Sequence, residues 1–364
     1  MVIRAFITHK QAEKFADCQD RFGVAPDTKS IAVSDGMGAT WQQKIWAQLL
    51  VDTFIESRDW QPTKNTTNPL CFLWRNKVER LIEQLKKKPR TSLSQREINE
   101  LDALIYRNER NLIAGRSAGA TFVGIRFSGN IWNGSVLGDS CLIEWDGNEA
   151  KFNTSQDTDA FDSYPDYFDS NPLKDGKGTP KSIEGTLKDG TILFLVSDPF
   201  SEFMLEHSKQ GDIAKYVQQL LSLASHDDFE ALVDEWREEG MHNDDTTLVI
   251  IESDSAEALT ITYADNISEM IEKEKSFEDS LNQVKEVAQT SPMNTSQNDI
   301  EVAENFVVVQ NDEKVFADEF LTEYQRCLQK KFPKQMGKLK YKWTQKAVEE
   351  AFNILLEKYS IIKK

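Results

Sequence analysis

Hydrophobic positions along the chain fall into two rhythms. Short apolar runs rich in β-branched and aromatic residues, bounded by Gly, Asn or Asp, predict strands over Val2–Thr8, Ser30–Ser34, Ala118–Phe127, Ile131–Trp145, Thr191–Ser197 and Thr246–Glu252. Apolar residues at helical spacing predict helices over Trp41–Glu56, Cys71–Lys87, Ser94–Ile113, Ser201–His207, Ile213–Ala224 and Asp227–Glu238. Two strand segments are joined only by Ser128, Gly129 and Asn130, so strands follow one another as hairpins rather than through βαβ crossovers, and the expected fold class is α+β. Asn153–Ser182, polar and rich in Pro, Gly and Asp, is expected to be a long surface excursion.

The pattern changes beyond Glu252. Ser253–Gln310 is dominated by Ser, Asn, Gln, Asp and Glu, a composition that buries too little apolar surface to order itself. Ile267, Met270, Ile271, Phe277, Leu281 and Val284 lie near helical spacing, so this linker is expected to be partly helical. Further on, Phe316, Phe320, Tyr324, Cys327 and Leu328 form one amphipathic face, which Phe332 and Pro333 end. Trp343, Val348, Phe352, Leu355 and Tyr359 lie on a second face. The expected organisation is a domain over 1–254, a linker over 255–314 and a basic helical hairpin over 315–364.

Charge sharpens that division. The 364 residues carry 43 basic and 60 acidic side chains, a net −17. Ten Lys and one Arg against six acids make 315–364 +5, leaving −22 on the first 314 residues. An acidic main domain repels nucleic acid, and although Lys residues interleave with Phe332, Tyr341 and Trp343, the amphipathic spacing favours a hairpin that docks on a protein partner or on the acidic domain itself. No stretch approaches the ~18 consecutive apolar residues of a membrane span, and Met1–Lys10 lacks a signal-peptide core, so a cytoplasmic location is expected. Cys18, Cys71, Cys141 and Cys327 are far apart and form no CxxC pair, which excludes a zinc ribbon or disulfide framework.

Aspartates recur at strand ends: Asp20, Asp35, Asp139, Asp198 and Asp244. A single Asp in such a place commonly caps a turn or helix. Several converging carboxylates instead repel one another unless a cation neutralises them, and an all-oxygen donor set selects hard ions such as Mg²⁺ or Mn²⁺. None of His9, His207, His226 and His242 is spaced for zinc.

The neighbours of these aspartates carry a resemblance. Cys18-Gln-Asp-Arg-Phe22, Ile31-Ala-Val-Ser-Asp-Gly-Met-Gly38, Gly119-Ala-Thr-Phe-Val-Gly124, Val136-Leu-Gly-Asp-Ser140, Leu193-Phe-Leu-Val-Ser-Asp198 and Asp244-Asp-Thr-Thr-Leu-Val-Ile250 follow the order and rough spacing of the metal-dependent protein phosphatases. Residues 1–254 thus resemble a protein phosphatase 2C catalytic domain of the bacterial type. The resemblance implies a four-layer α-β-β-α sandwich of two antiparallel sheets with a two-metal site at one end. Asp35 resembles the carboxylate bridging both ions, Gly36 the backbone carbonyl ligand, and Asp198 and Asp244 the carboxylates on the first ion. Asp20 resembles the acidic residue near the second ion, and Asp139 that of a weaker third. The implied activity is hydrolysis of phosphoserine or phosphothreonine in protein substrates, phosphorylated by a cognate kinase, by a water that the ions activate. Asp35, Asp198 and Asp244 are then the central catalytic residues.

Four positions depart from the family pattern. Lys14 stands where many members place a phosphate-clamping Arg, so the candidate phosphate contact is a point charge rather than a fork. Gln19 replaces an acid, Pro199 replaces a Gly, and Met37 stands where eukaryotic members carry a His. These departures motivate two alternatives: a pseudophosphatase that binds a phosphoprotein without turnover, or an adaptor acting through its C-terminal helices.

Overall fold

The computed structural model describes residues 1–156, 165–174, 176–254 and 258–276. They lie within a unit spanning Met1–Val284; the second unit, Lys285–Lys364, including the expected hairpin over 315–364, lies outside the described residues.

Six strands form one sheet in the order β13 (Thr260–Ala264), β1 (Val2–Thr8), β12 (Thr246–Glu252), β11 (Ile192–Val196), β7 (Cys141–Trp145), β8 (Ala150–Asn153). Five form a second: β10 (Lys181–Thr186), β6 (Ile131–Leu137), β5 (Phe122–Ser128), β3 (Ser30–Ser34), β2 (Arg21–Ala25). A small ladder joins β4 (Gly119–Ala120) to β9 (Phe168–Asp169). Every ladder is antiparallel except β1 with β13.

The central strands of both main sheets are buried on both faces, which explains why they read as continuous apolar runs. Along β11, Leu193 and Leu195 enter the core between the sheets with Val249, Ile251, Ile31, Val33, Val123 and Ile125. Phe194 and Val196 point the other way, towards α4 (Asp198–Gln210), α5 (Ile213–Ser222) and α6 (His226–Glu238), where Phe200, Tyr216 and Trp236 complete a second core. On the far side, Trp46, Leu50 and Phe54 of α1 (Gln43–Glu56) and Trp74 and Val78 of α2 (Lys64–Lys87) cover the five-stranded sheet. The result is the α-β-β-α sandwich expected. Helix α1 approaches so closely that a Cβ at Gly124 would lie 2.8 Å from the Phe54 ring.

α2 begins earlier than its apolar pattern indicates, because Thr63 and Thr66 form a reciprocal cap that starts the helix at Lys64. α3 (Gln95–Ile113) starts from an equivalent box between Ser94 and Glu97. The excursion expected over Asn153–Ser182 contributes β9 and the first residues of β10.

The sheet also runs past the boundary expected at residue 254. β13 pairs with β1, Thr260 N–H donating to Met1 O at 2.9 Å, and a helix, α7, occupies 267–276. Leu259 and Met270 are buried, and Asp265 accepts from the Ile7 N–H. The polar composition of this stretch hid the strand, since an edge strand needs only one ladder and little apolar content.

Candidate active site

The strand ends gather the predicted aspartates at one end of the sandwich. Asp20 enters β2, Asp35 leaves β3, Asp139 lies between β6 and β7, Asp198 follows β11, and Asp244 precedes β12. Neither Asp35 nor Asp198 is a helix cap: α1 starts from Gln42 and α4 from Ser197. Pro199 falls in the first turn of α4, where its missing N–H costs no helical bond.

A network of buried hydroxyls fixes the loops. Thr247 Oγ1 donates to Asp20 Oδ2 at 2.8 Å, and Thr247 N–H donates to Ser197 Oγ at 2.9 Å. Thr121 and Ser140 hydroxyls meet at 2.6 Å, Asp35 N–H donates to Thr121 Oγ1 at 3.3 Å, and Ser201 Oγ donates to the Asp139 carbonyl at 2.8 Å. Gly36 bridges to Ala120, and a Cβ there would stand 2.9 Å from Gln43 and 3.0 Å from the Gln19 carbonyl. Only glycine lets these chains approach so closely.

Burial and mutual repulsion raise the proton affinity of these carboxylates. Burial, then the charges of Asp35 and Asp245, push Asp20 well above the ordinary carboxylate range. Asp35 is raised to about 8 by burial and by Asp139. Asp139 is raised to about 7, chiefly by burial, with Glu202 and Asp20 adding repulsion. Asp198 is raised well above the ordinary range by burial and then by Asp35, Asp139, Asp20 and Asp244.

Among the described residues no three His, Cys, Asp or Glu side chains stand ready-spaced around one ion. The donor chemistry nevertheless fits a hard divalent cation. The set is all oxygen, its charges are mutually repulsive, and the buried Asp20 Oδ1 and Asp139 Oδ1 find no N–H or O–H donor. A divalent ion would supply the positive charge that offsets this repulsion.

Two adjacent aspartates have different surroundings. Asp245 is 3% exposed, and its oxygens accept from the backbone N–H groups of Lys10 at 2.9 Å and Gln19 at 2.6 Å. It ties two loops together. Asp244 is partly exposed and bonds Lys10 Nζ at 3.3 Å. Lys10 was not singled out in the sequence, because nothing in a lone Lys after a strand marks it; attraction to Asp244 outweighs its burial and raises its pKa. Lys14 stands on an exposed turn whose carbonyl accepts from Asp17 and Cys18. Gln19 is held by Gln43, which donates to Gln19 Oε1 at 2.7 Å. Cys18, Cys71 and Cys141 are buried free thiols, and burial pushes each pKa up, away from thiolate nucleophiles.

Comparison with known proteins adds the family. Among solved structures, a bacterial serine phosphatase is 14% identical over 70% of this chain and 99% of its own, with a TM-score of 0.42. PppA of Pseudomonas aeruginosa, described as a key regulatory component of T6SS, is 17% identical over 69% of this chain and 96% of its own, with a TM-score of 0.41. The serine/threonine phosphatase PstP/Ppp of Mycobacterium tuberculosis is 16% identical over 69% and 98%, with a TM-score of 0.40. No curated protein matches. No helix of the described residues is long and apolar enough to cross a membrane. The protein phosphatase 2C family model matches residues 9–239, well over half of the sequence, from the turn that carries Lys10 through the strands that carry Asp20, Asp35, Asp139 and Asp198, and the chain belongs to that family.

Proposed function

We propose that this chain is a cytoplasmic, metal-dependent serine/threonine protein phosphatase that hydrolyses phosphomonoesters on phosphoproteins phosphorylated by a cognate kinase. The observation that carries the reading is the gathering of Asp20, Asp35, Asp139 and Asp198 at the strand ends on one side of the two sheets, where each feels the charge of at least one of the others. When bound by Asp20, Asp35, Gly36, Asp198 and Asp244, with Asp139 available to a weaker third, two Mn²⁺ or Mg²⁺ ions would supply an acidified water and neutralise the phosphoryl oxygens.

The chain's own residues do the rest. Lys10, bonded to Asp244, holds a positive charge at the rim, and Lys14 on the neighbouring turn is the second candidate for the incoming phosphate. Asp245 positions both loops through the backbone of Lys10 and Gln19. Met37 is buried and carries no exchangeable proton, so the leaving group takes its proton from solvent. A cysteine nucleophile is disfavoured among the described residues, because burial holds the thiols of Cys18, Cys71 and Cys141 in their protonated form.

The C-terminal segment 315–364 is proposed to dock on a protein partner or on the acidic domain, on the strength of its +5 charge. The decisive experiment is turnover of a phosphothreonine peptide by the full chain, with Mn²⁺ and with EDTA. Ion-dependent turnover supports the phosphatase; peptide binding without turnover in Mn²⁺ supports the pseudophosphatase.

A further inference from the structure

The five-stranded sheet has a second polar end. β3 and β5 approach the carboxylates through Ser34 and Phe122; at their opposite ends, a strand length or roughly 17 Å away, lies a cavity of about 320 Å³. Its lining includes Asp27, Lys29, Arg58, Arg126, Ser128 and Asn133.

Arg126 is the unusual member. It is 7% exposed, and its guanidinium carbon lies 3.6 Å from the centre of the Phe54 ring. Nη2 donates to the carbonyls of Phe54, Ser57 and Trp60 at 2.7, 2.8 and 2.8 Å, which closes the C-terminal end of α1. Nε and Nη1 have no partner. Among the described residues no carboxylate bonds this guanidinium; Asp59 acts on it only at a distance, and burial lowers its pKa to about 10. Helix capping accounts for Nη2 and leaves the other two nitrogens unexplained. A buried charge without a counter-ion is costly.

Two further cations line the same cavity. Arg58 is exposed and donates from Nη2 to the Asp27 carbonyl at 3.3 Å. Lys29 has a left-handed backbone, φ 51°, in the turn before β3. Three cations therefore share the lining with one acid, Asp27, in a chain of net charge −17. Guanidinium groups donate in a planar fork suited to phosphoryl oxygens, and a concave wall of one sign concentrates anions.

We propose that this cavity binds a small phosphorylated anion, with Arg126, Arg58 and Lys29 as its positive wall and Ser128 and Asn133 as hydrogen-bonding groups. The volume is at the lower end of small-ligand sites, which suits a diphosphate group and excludes a folded partner. The site is distinct from the carboxylate cluster, since the two ends of the sheet carry opposite charge.

The test is calorimetric titration of the full chain in EDTA, a condition that removes any ion-mediated phosphate affinity at the carboxylates. Inorganic pyrophosphate should bind saturably in the micromolar to low millimolar range. Arg58→Glu, on an exposed side chain, should weaken it at least ~10-fold with an unchanged melting temperature, and Asp35→Asn should leave it unaltered. ADP binding as tightly as pyrophosphate identifies the phosphoryl groups as what is read; tighter ADP binding adds a contact to the nucleoside. Arg126→Ala removes the cap of α1 and can unfold the chain, so Lys29→Glu serves as the second variant, with the same expected loss. Absence of saturable pyrophosphate binding, or wild-type affinity in both Arg58→Glu and Lys29→Glu, overturns the proposal.

Discussion

Glu274 Oε2 accepts a hydrogen bond from the backbone N–H of Phe15 at 3.0 Å. A residue of α7, beyond the expected domain boundary, thereby holds the loop that carries Lys10, Lys14 and Gln19 into Asp20. The ring of Phe15 is buried between His9 and His226, with centroids at 4.7 and 5.6 Å, so this loop is clamped from both sides.

Truncation after Glu252 is therefore expected to destabilise the domain. It removes β13, the buried Leu259 and Met270, and the Glu274 contact, a loss of at least ~3 kcal/mol from the two apolar side chains alone. Truncation after Val284, where the first unit ends, should leave the melting temperature near that of the full chain. Urea unfolding of the two truncations checks this; equal stability would show that 258–276 is dispensable.

The −22 and +5 charge partition gives a separate expectation for the truncation after Val284. If the basic segment covers the acidic rim, the truncated enzyme turns over faster, and added salt raises the full chain towards it as the Debye length falls below ~8 Å. Identical salt profiles for both proteins would mark the segment as a tether for another partner.

Asp35→Asn should lower turnover at least ~10²-fold, because it removes a charge that acts on both Asp20 and Asp198. The same variant should be as stable as wild type in EDTA, or more so, since it eliminates a buried repulsive carboxylate. A fall in both activity and EDTA stability would instead mark Asp35 as structural.

Asp244 and Asp245 should separate cleanly. Asp244→Asn is expected to cut turnover at least ~10-fold with little change in melting temperature, as a partly exposed ligand candidate. Asp245→Ala should lower stability by about 2 kcal/mol by leaving the Lys10 and Gln19 amides unpaired. Circular-dichroism melting with a phosphopeptide assay reads both; a reversed pattern would exchange their roles.

Acidity supplies a further check. Asp35 and Asp139 hold protons in the ion-free folded chain up to about 8 and 7, against an ordinary value of 3.8. The folded state binds the extra protons, so ion-free stability is highest below pH ~4 as far as these groups are concerned and declines as pH rises to about 8. The Mn²⁺-induced rise in melting temperature should grow across the same interval. A shift independent of pH would show that ion binding does not displace these protons.

Much of this protein was legible in its sequence. Val2–Thr8, Ser30–Ser34 and Thr246–Glu252 are strands with the bounds their apolar patterns predict, because each lies in the middle of a sheet and is buried. The order of the strand-end aspartates, each at one end of a strand, likewise follows from local pattern. The tertiary structure alone decided which groups meet across the chain. Lys10 reaches Asp244, and Asp245 bonds the Lys10 and Gln19 amides, across more than two hundred residues. It alone made β13 a strand, because an exposed edge takes its stability from the ladder of β1 rather than from its own apolar content. Arg126 reads as an ordinary polar residue in a strand; only the packing of α1 over β5 buries its charge without a counter-ion. Periodicity records which face of an element is covered, whereas pairing between distant segments depends on contacts that no local pattern encodes.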